Sequence, residues 1–422
     1  MAHFAVIGAG ITGITTTHAL IERGHRVTVI DRHPLPAMET SFANGGQLSA
    51  SNAEVWNSFG TVFKGLRWMA QRDAPLLMNP RPGWHKYSWL AEFLAAIRSH
   101  DANTVETVRL AIAARQHLFD LAAREGIDFD HQTRGILHVY HNAADLAAAA
   151  RTNALLRQGG LDRFEVSADE MRGIDPALTG DYAGGYFTPA DSTGDICKFT
   201  RGLADACARR GGQFRLDRTV LDIGVDDAGA TVHTAAALNG GDAKADHYDG
   251  VVICAGVGSR RLAAMVGDRV NVYPVKGYSI TVMLRDSASQ AAAPWVSLLD
   301  EAAKIVTSRL GADRFRVAGT AEFNGENRDI RADRIAPLVD WVRQQFPGVG
   351  VGEVVPWAGL RPMMPDMMPR FGAGRQRGVF YNTGHGHLGW TLSAVTAQLI
   401  AAAIDQAEWP VADRRSHVAA IR

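Results

Sequence analysis

Three places in this 422-residue chain combine residue types and spacings that suit chemistry. Arg361 stands in "WAGLRPMMPDMMP", between Leu360 and Pro362, with Pro365 close behind. Two nearby prolines restrict this loop, so a guanidinium held here has little entropy left to lose on engaging a ligand. Its planar fork suits a bidentate grip on a carboxylate; the competing reading is a structural ion pair with Asp366 or Glu353. Tyr278 lies in "VYPVKGYSITVML", which alternates like a strand. Its hydroxyl either reaches a cavity and the same carboxylate, or sits on an ordinary sheet face. The third place is "NTGHGHLGWTLS", with His385 and His387 among three glycines and an apolar run behind them. An i, i+2 histidine pair without a further ligand cluster does not make a metal site, and no metal is expected. No Ser/His/Asp or Cys/His arrangement for nucleophilic catalysis is visible.

Such side chains need a scaffold, and "HFAVIGAGITGITTTHALIERGHRVTVID" describes its first part. A short buried strand, residues 3–7, runs into Gly8, Gly10 and Gly13 in the order G-x-G-x-x-G. A helix then runs over 11–23, stopped at Gly24, and a second strand over 26–30 ends in Asp31. Gly8 permits the tight turn, Gly10 lets backbone approach a pyrophosphate, and Gly13 lets the helix lie close on the strands. The phosphates belong at the helix N-terminus, beside Ala9, Ile11 and Thr12, where unpaired N–H groups and the helix dipole favour negative charge. Asp31 is placed to accept from ribose hydroxyls, which disfavours a 2′-phosphate and leaves FAD or NAD.

The next segment favours FAD. An NAD-type fold would pass into another strand–helix unit, whereas here a polar, glycine-bearing loop follows, with Thr40, Ser41, Asn44, Gly45, Gly46 and Gln47. Such a loop suits the remainder of a long, extended cofactor. Downstream, "HYDGVVICAGVGSRRL" returns the chain to the same sheet at Ala255 and Gly256, after a helix over 195–210 and antiparallel strands over 220–225 and 230–234. Near the end, a strand over 379–382 places Gly384, Gly386 and Gly389, with Leu388, Trp390 and Thr391, where backbone amides and a helix N-terminus face the flavin. Charge developing near flavin N1 and C2=O is stabilised there. Arg32, Leu48 and Val220 complete the expected cofactor contacts, and Arg361, His385 and His387 are expected beside them.

The chain resembles the FAD-dependent D-amino-acid dehydrogenases, within the wider glycine/D-amino-acid oxidase-like group. The likeness rests on "GAGITG", "VTVIDR", "ETSFANGGQLS", "WMAQRDAPL", "PVKGYSITV", "WAGLRPMMPDMMP" and "NTGHGHLGWT", in that order along nearly the whole chain. It implies an α/β fold: a Rossmann-like FAD-binding domain interleaved with an α+β substrate domain on an antiparallel sheet. It also implies oxidative deamination of D-amino acids to 2-oxo acids, with electrons passed to a quinone or other respiratory acceptor. In the related oxidases an arginine in this Arg-Pro context holds the substrate carboxylate, which implies that role for Arg361. With the substrate amine neutral, Cα–H leaves as hydride to flavin N5, so no dedicated general base is expected. The chain departs from the family at "ASNAEVW" (residues 50–56) and at His387, where a small polar residue is usual. Both changes suit the substrate side and leave room for a cyclic substrate such as D-proline or a hydroxylated D-proline. The rivals are an oxygen-using oxidase of glycine, sarcosine or a D-imino acid, and a catalytically silent flavoprotein subunit.

Domain boundaries are expected at 1–55, 166–262 and 351–422 for the FAD-binding half, with 56–165 and 263–350 forming the substrate half. Within the latter, residues 56–97 hold four of the nine tryptophans among Lys64, Arg67, Arg72, Arg81 and Lys86. That mixture suits either a membrane surface or helices packed on the substrate domain. Lys plus Arg and Asp plus Glu both number 44, which argues against a polyanion partner such as nucleic acid. Cys197, Cys207 and Cys254, with no CxxC pair, fit a reducing compartment and noncovalent FAD. The N-terminus shows no signal pattern, and no apolar run reads as a membrane span. The expected location is cytoplasmic, with peripheral contact at the inner membrane.

Overall fold

The computed structural model describes residues 1–68, 75–238 and 240–407. Four largely buried strands with β-branched side chains form the centre of a six-stranded sheet, in the order Arg370–Ala373, Val379–Thr383, Gly250–Ile253, His3–Ile7, Arg26–Ile30, Gln213–Arg215, whose two edge strands are more exposed. All pairings are parallel except that between Arg370–Ala373 and Val379–Thr383. The helices Ile11–Glu22, Ile196–Arg209 and Gly389–Gln406 share one core with it, built on Phe4, Val6, Ile14, Leu20, Phe199, Leu203 and Ile400. Asp195 caps the second of these helices by accepting from Cys197 N and Lys198 N. The terminal helix is long and apolar enough to cross a bilayer, which the sequence had not suggested. Here it is interior, packed against Ile11–Glu22 and His100–Glu125.

The second layer is a nine-stranded sheet. Its order is Val354–Met363, Tyr273–Met283, Arg314–Phe323, Ile305–Arg309, Ser297–Asp300, Ile136–Tyr140, Gly184–Thr188, Phe164–Val166, and Leu76–Met78 pairs with Arg314–Phe323. Its pairings are antiparallel apart from Ser297–Asp300 with Ile136–Tyr140 and Leu76–Met78 with Arg314–Phe323. One face packs on the helix Ala332–Gln345 through Ile280, Val282, Phe315, Leu338 and Val342. A separate three-stranded meander, Arg218–Asp226, Gly229–Ala236 and Lys244–Tyr248, closes a third core against the six-stranded sheet.

Three expected boundaries move. Gly184–Thr188 pairs with Ile136–Tyr140, so the substrate half continues past 165. Val354–Met363 pairs with Tyr273–Met283, so it also continues past 350. The helix His100–Glu125, assigned to the substrate half, contributes Leu118, Leu121 and Ala122 to the dinucleotide core. The reason is physical: a short alternating run specifies a strand but not its neighbour, and the neighbour is chosen by register across long loops.

Candidate active site

One cavity of about 1030 Å³ runs between the two halves. At one end stands the glycine turn. Gly8 has φ +115°, and a Cβ on it would lie 2.6 Å from Cys254 O. A Cβ on Gly13 would overlap the Gly8 carbonyl, so Gly13 is needed for helix packing and does not line the cavity. Gly10 differs: nothing lies closer to such a Cβ than Ser41 Oγ at 3.4 Å, and its face opens on the cavity. The helix that follows has no side-chain cap at Gly10 and no acidic residue in its first turn. The first helical N–H, of Ile11, donates to Ser41 Oγ (3.0 Å), and the rest of this helix start, with the open glycine face, suits a pyrophosphate. Asp31 accepts from Ala9 N (2.7 Å) and His33 N (2.8 Å), which pins its carboxylate at the cavity wall. Each oxygen keeps a lone pair for a ribose hydroxyl. Arg32 also lines the wall and pairs with Glu39. Val220, Ala255 and Gly256 (φ +54°) line the same end.

The loop after Asp31 is held by the large sheet. Thr40 donates to Leu360 O (2.7 Å), and Ser279 and Ser308 donate to Ala43 O and Gly45 O, each at 2.7 Å. Arg316 donates to Asn44 O (2.9 Å), while Asn44 accepts from Gly46 N (2.9 Å). A Cβ on Gly45 would stand 2.7 Å from Val306 Cγ2, so close backbone approach is built into the loop. Gln47 donates to Ser297 Oγ (2.8 Å) and lines the cavity, whereas Leu48 turns into the dinucleotide core, away from it. Asp191, fully buried, then accepts from Ala50 N and Ser51 N (3.0 Å each) and pairs with Arg115 (3.1 Å).

Opposite lies the C-terminal loop. Gly384 and Gly386 have φ +75° and +59°, followed by a 3₁₀ turn, Gly386–Leu388, and the helix Gly389–Gln406. Its Thr391 hydroxyl accepts from Ser49 N at 3.1 Å, joining the two loops. Gly384 through Thr391 all line the cavity. The two histidines part company. His385 turns inward, its Nε2 2.9 Å from Thr396 Oγ1, and burial pushes its pKa down to about 3. His387 stacks on Trp56 with centroids 4.9 Å apart, and its Nε2 sits 3.0 Å from Asn52 O. Burial pushes its pKa to about 4, with Arg361 adding to the effect, so it is neutral at pH 7. A carbonyl only accepts, so Nε2 carries the proton and the buried, unpartnered Nδ1 keeps a lone pair.

Arg361 lies across the strand so that a Cβ on Gly277 would stand 2.5 Å from its Cζ. Among the described residues its one hydrogen bond is Nη1 to Thr320 O (2.9 Å), and no carboxylate pairs with it. Glu353 pairs with Arg285 and Asp366 accepts from Met368 N, which removes the structural ion-pair reading. Burial lowers its pKa to about 10, leaving it charged at neutral pH. Tyr278 is a correction. Its side chain is 1% exposed in the core under Ala332–Gln345, and its hydroxyl donates to Glu322 (2.7 Å) beside Lys276. Tyr278 borders the cavity beside Gly277, but its hydroxyl is committed to Glu322 on the core side rather than offered to a substrate.

Reading by motif passed over several cavity residues: Ser51, Asn52, Trp56, His138, Tyr140, Arg163 and Glu301. The first three fall in the segment 50–56, already marked as atypical. The last four carry no local signal, because strands far apart in sequence bring them together.

Residues 3–403 match the family described as FAD dependent oxidoreductase. The chain is 60% identical to D-amino acid dehydrogenase 3 of Mesorhizobium japonicum, over 96% of this chain and 97% of that protein. It is 41% identical to D-amino acid dehydrogenase of Paramagnetospirillum magneticum, over 94% and 93% respectively. Among solved structures, glycine oxidase from Bacillus cereus superposes with a TM-score of 0.72 at 21% identity, covering 96% of this chain and 95% of its own. L-Proline dehydrogenase from P. horikoshii gives 0.72 at 15% identity, over 96% and 93%; at these identities the likeness is one of fold. The cavity thus takes FAD, on the turn, the pinned acid and the two glycine-bearing loops that fit it. Matched along nearly its entire length, this chain belongs to the D-amino acid dehydrogenase family of FAD-dependent oxidoreductases.

Proposed function

We propose that the protein oxidatively deaminates D-amino acids to 2-oxo acids and passes the electrons to a quinone or similar respiratory acceptor. The observation that carries the substrate reading is the charged, carboxylate-free guanidinium of Arg361 in the flavin cavity. An amino acid supplies the missing carboxylate, and a two-point grip fixes its orientation. The substrate amine then faces His387, whose Nδ1 lone pair accepts an N–H while the Asn52 carbonyl and the Trp56 ring hold the imidazole still. When bound, FAD supplies the hydride acceptor; the chain's own work is alignment of Cα–H and exclusion of water. A ring nitrogen of a cyclic amino acid offers the same single N–H to Nδ1, which keeps D-proline-like substrates within this reading. Anaerobic mixing with a panel of D- and L-amino acids tests it. Bleaching of the flavin by D-enantiomers, followed by quinone or dye reduction without peroxide, is expected. Bleaching by L-enantiomers alone, or stoichiometric peroxide, would overturn the corresponding half.

Peripheral membrane contact at the cytoplasmic face belongs to the same proposal, and side chains of residues 59–94 support it unevenly. Phe63 (70% exposed) and Trp84 (83%) project outward, with Phe59, Tyr87 and Leu94 near them in sequence and also exposed. Trp89 is buried with Nε1 on Met363 O, and Lys86 donates to Asn79 O and Arg81 O. The side chains of Lys64, Arg67 and Trp68, and all of Arg72, lie outside the described residues. Removing two large apolar groups weakens insertion by about 2–4 kcal/mol. The double variant Phe63→Ser, Trp84→Ser is therefore expected to lose flotation with anionic lipid vesicles. Flotation equal to that of the unaltered protein would remove the membrane reading.

A further inference from the structure

The cavity continues past the flavin loops into a second wing. Its walls are the strand Ile136–Tyr140, the helix Ala143–Gln158 and the turn 301–304. The wing begins where Ser51 Oγ meets His138 Nε2 at 3.1 Å, one residue before Asn52. In its wall lies Arg163, 3% exposed, its Cζ 4.9 Å from the centre of the Tyr186 ring. Arg163 Nε and Nη2 are buried and find no hydrogen-bond acceptor among the described residues. Among the described residues no carboxylate lies within ion-pair distance of it. The two carboxylates in its neighbourhood are already committed. Glu301 binds His138 (2.9 Å) and Lys304, and Asp191 binds two backbone amides and Arg115. The Tyr140 hydroxyl is the neutral group next to Arg163. A buried cation without a counter-charge is stable only when something supplies one.

Arg163 is also far from the Arg361 grip. Arg361 is on Val354–Met363, at one end of the nine-stranded sheet, and Arg163 adjoins Phe164–Val166, at the other. We propose that Arg163, with Tyr140, forms a second carboxylate-binding subsite, which holds one small carboxylate while another occupies Arg361. The inference rests on the amino-acid reading above for the identity of the carboxylate, which is that of an incoming substrate or of a departing 2-oxo acid. Either source offers the same chemistry: a planar anion meeting the guanidinium where Arg163 lines the cavity.

Equilibrium dialysis of radiolabelled pyruvate against FAD-loaded enzyme tests this, with Arg163→Gln, Arg163→Lys and Arg361→Ala as companions. Two equivalents are expected on the unaltered protein. Arg163→Gln and Arg361→Ala should each retain one, and Arg163→Lys should bind the second at least tenfold more weakly. One equivalent on the unaltered protein, or two on folded Arg163→Gln, overturns the proposal, and the first result needs no variant to fold. Two equivalents on Arg361→Ala would instead count against the substrate clamp and leave Arg163 standing. Repeating the dialysis on dithionite-reduced enzyme with D-alanine as competitor separates the sources. Displacement from the Arg163 subsite marks an entry station, and retention of pyruvate marks a product station.

Discussion

Replacing Arg361 by alanine is expected to lower kcat/KM for D-amino acids by about 30- to 5,000-fold, mostly through KM. The figure follows from the roughly 2–5 kcal/mol lost when one partner of a buried, hydrogen-bonded charge pair is removed. The accompanying effect on stability has the opposite sign. In the substrate-free protein the guanidinium is desolvated, donates to Thr320 O and, among the described residues, has no carboxylate beside it. Its removal relieves a burial cost without breaking an ion pair, so the thermal midpoint should stay level or rise. Arg361→Lys keeps the charge and loses the fork, and should fall between the two. A KM within twofold of the unaltered enzyme for Arg361→Ala would end the carboxylate-clamp assignment. A parallel collapse of stability and activity would show that the residue is structural.

The second large effect separates two glycines three residues apart. In Gly13→Ala the methyl would meet the Gly8 carbonyl, with the carbonyl carbon at 2.9 Å, and neither backbone segment can yield. The loss should be on the order of 4 kcal/mol or more, seen as a depressed thermal midpoint in the flavin-free protein as well as lost FAD binding. Gly10→Ala enters an open face, at ordinary backbone angles of φ −77° and ψ 178°. The flavin-free protein should therefore melt normally. FAD, whose pyrophosphate needs that space, should bind roughly 5- to 150-fold more weakly, from about 1–3 kcal/mol of overpacking. Flavin fluorescence quenching and a melting curve of the stripped protein read the two quantities separately. Equal damage from both substitutions would mean that Gly10 packs against protein rather than cofactor.

Much of this site is legible in the sequence, because its parts are local. Gly8, Gly10 and Asp31 sit within one strand–helix–strand unit whose turn needs glycine and whose edge needs an acid. That physics acts over thirty residues and leaves a pattern in them. The same holds for Gly384 and Gly386, where positive φ and a following helix are both readable from the chain. Arg361 was legible from its proline setting, and its freedom from Glu353 and Asp366 was not. That outcome depends on Arg285 reaching Glu353 from 68 residues away.

The sequence by itself thus determined the dinucleotide unit, the flavin loops, several helix and strand spans and the family, but the segment around Arg361, expected as a loop, is the strand Val354–Met363. The sequence also nominated Arg361 and His387. Tertiary structure alone decided which face Tyr278 presents, because a strand's two faces are equivalent until register assigns one to the core and one to the cavity. It also turned His385 inward and His387 outward, and placed Gly184–Thr188 and Val354–Met363 in the substrate sheet. It alone brought Arg163, His138 and Glu301 around one wing of the cavity. A lone arginine before a short strand looks like any surface cation. Its burial without an ion pair depends on contacts from strands and turns up to 138 residues away, and no local pattern records them.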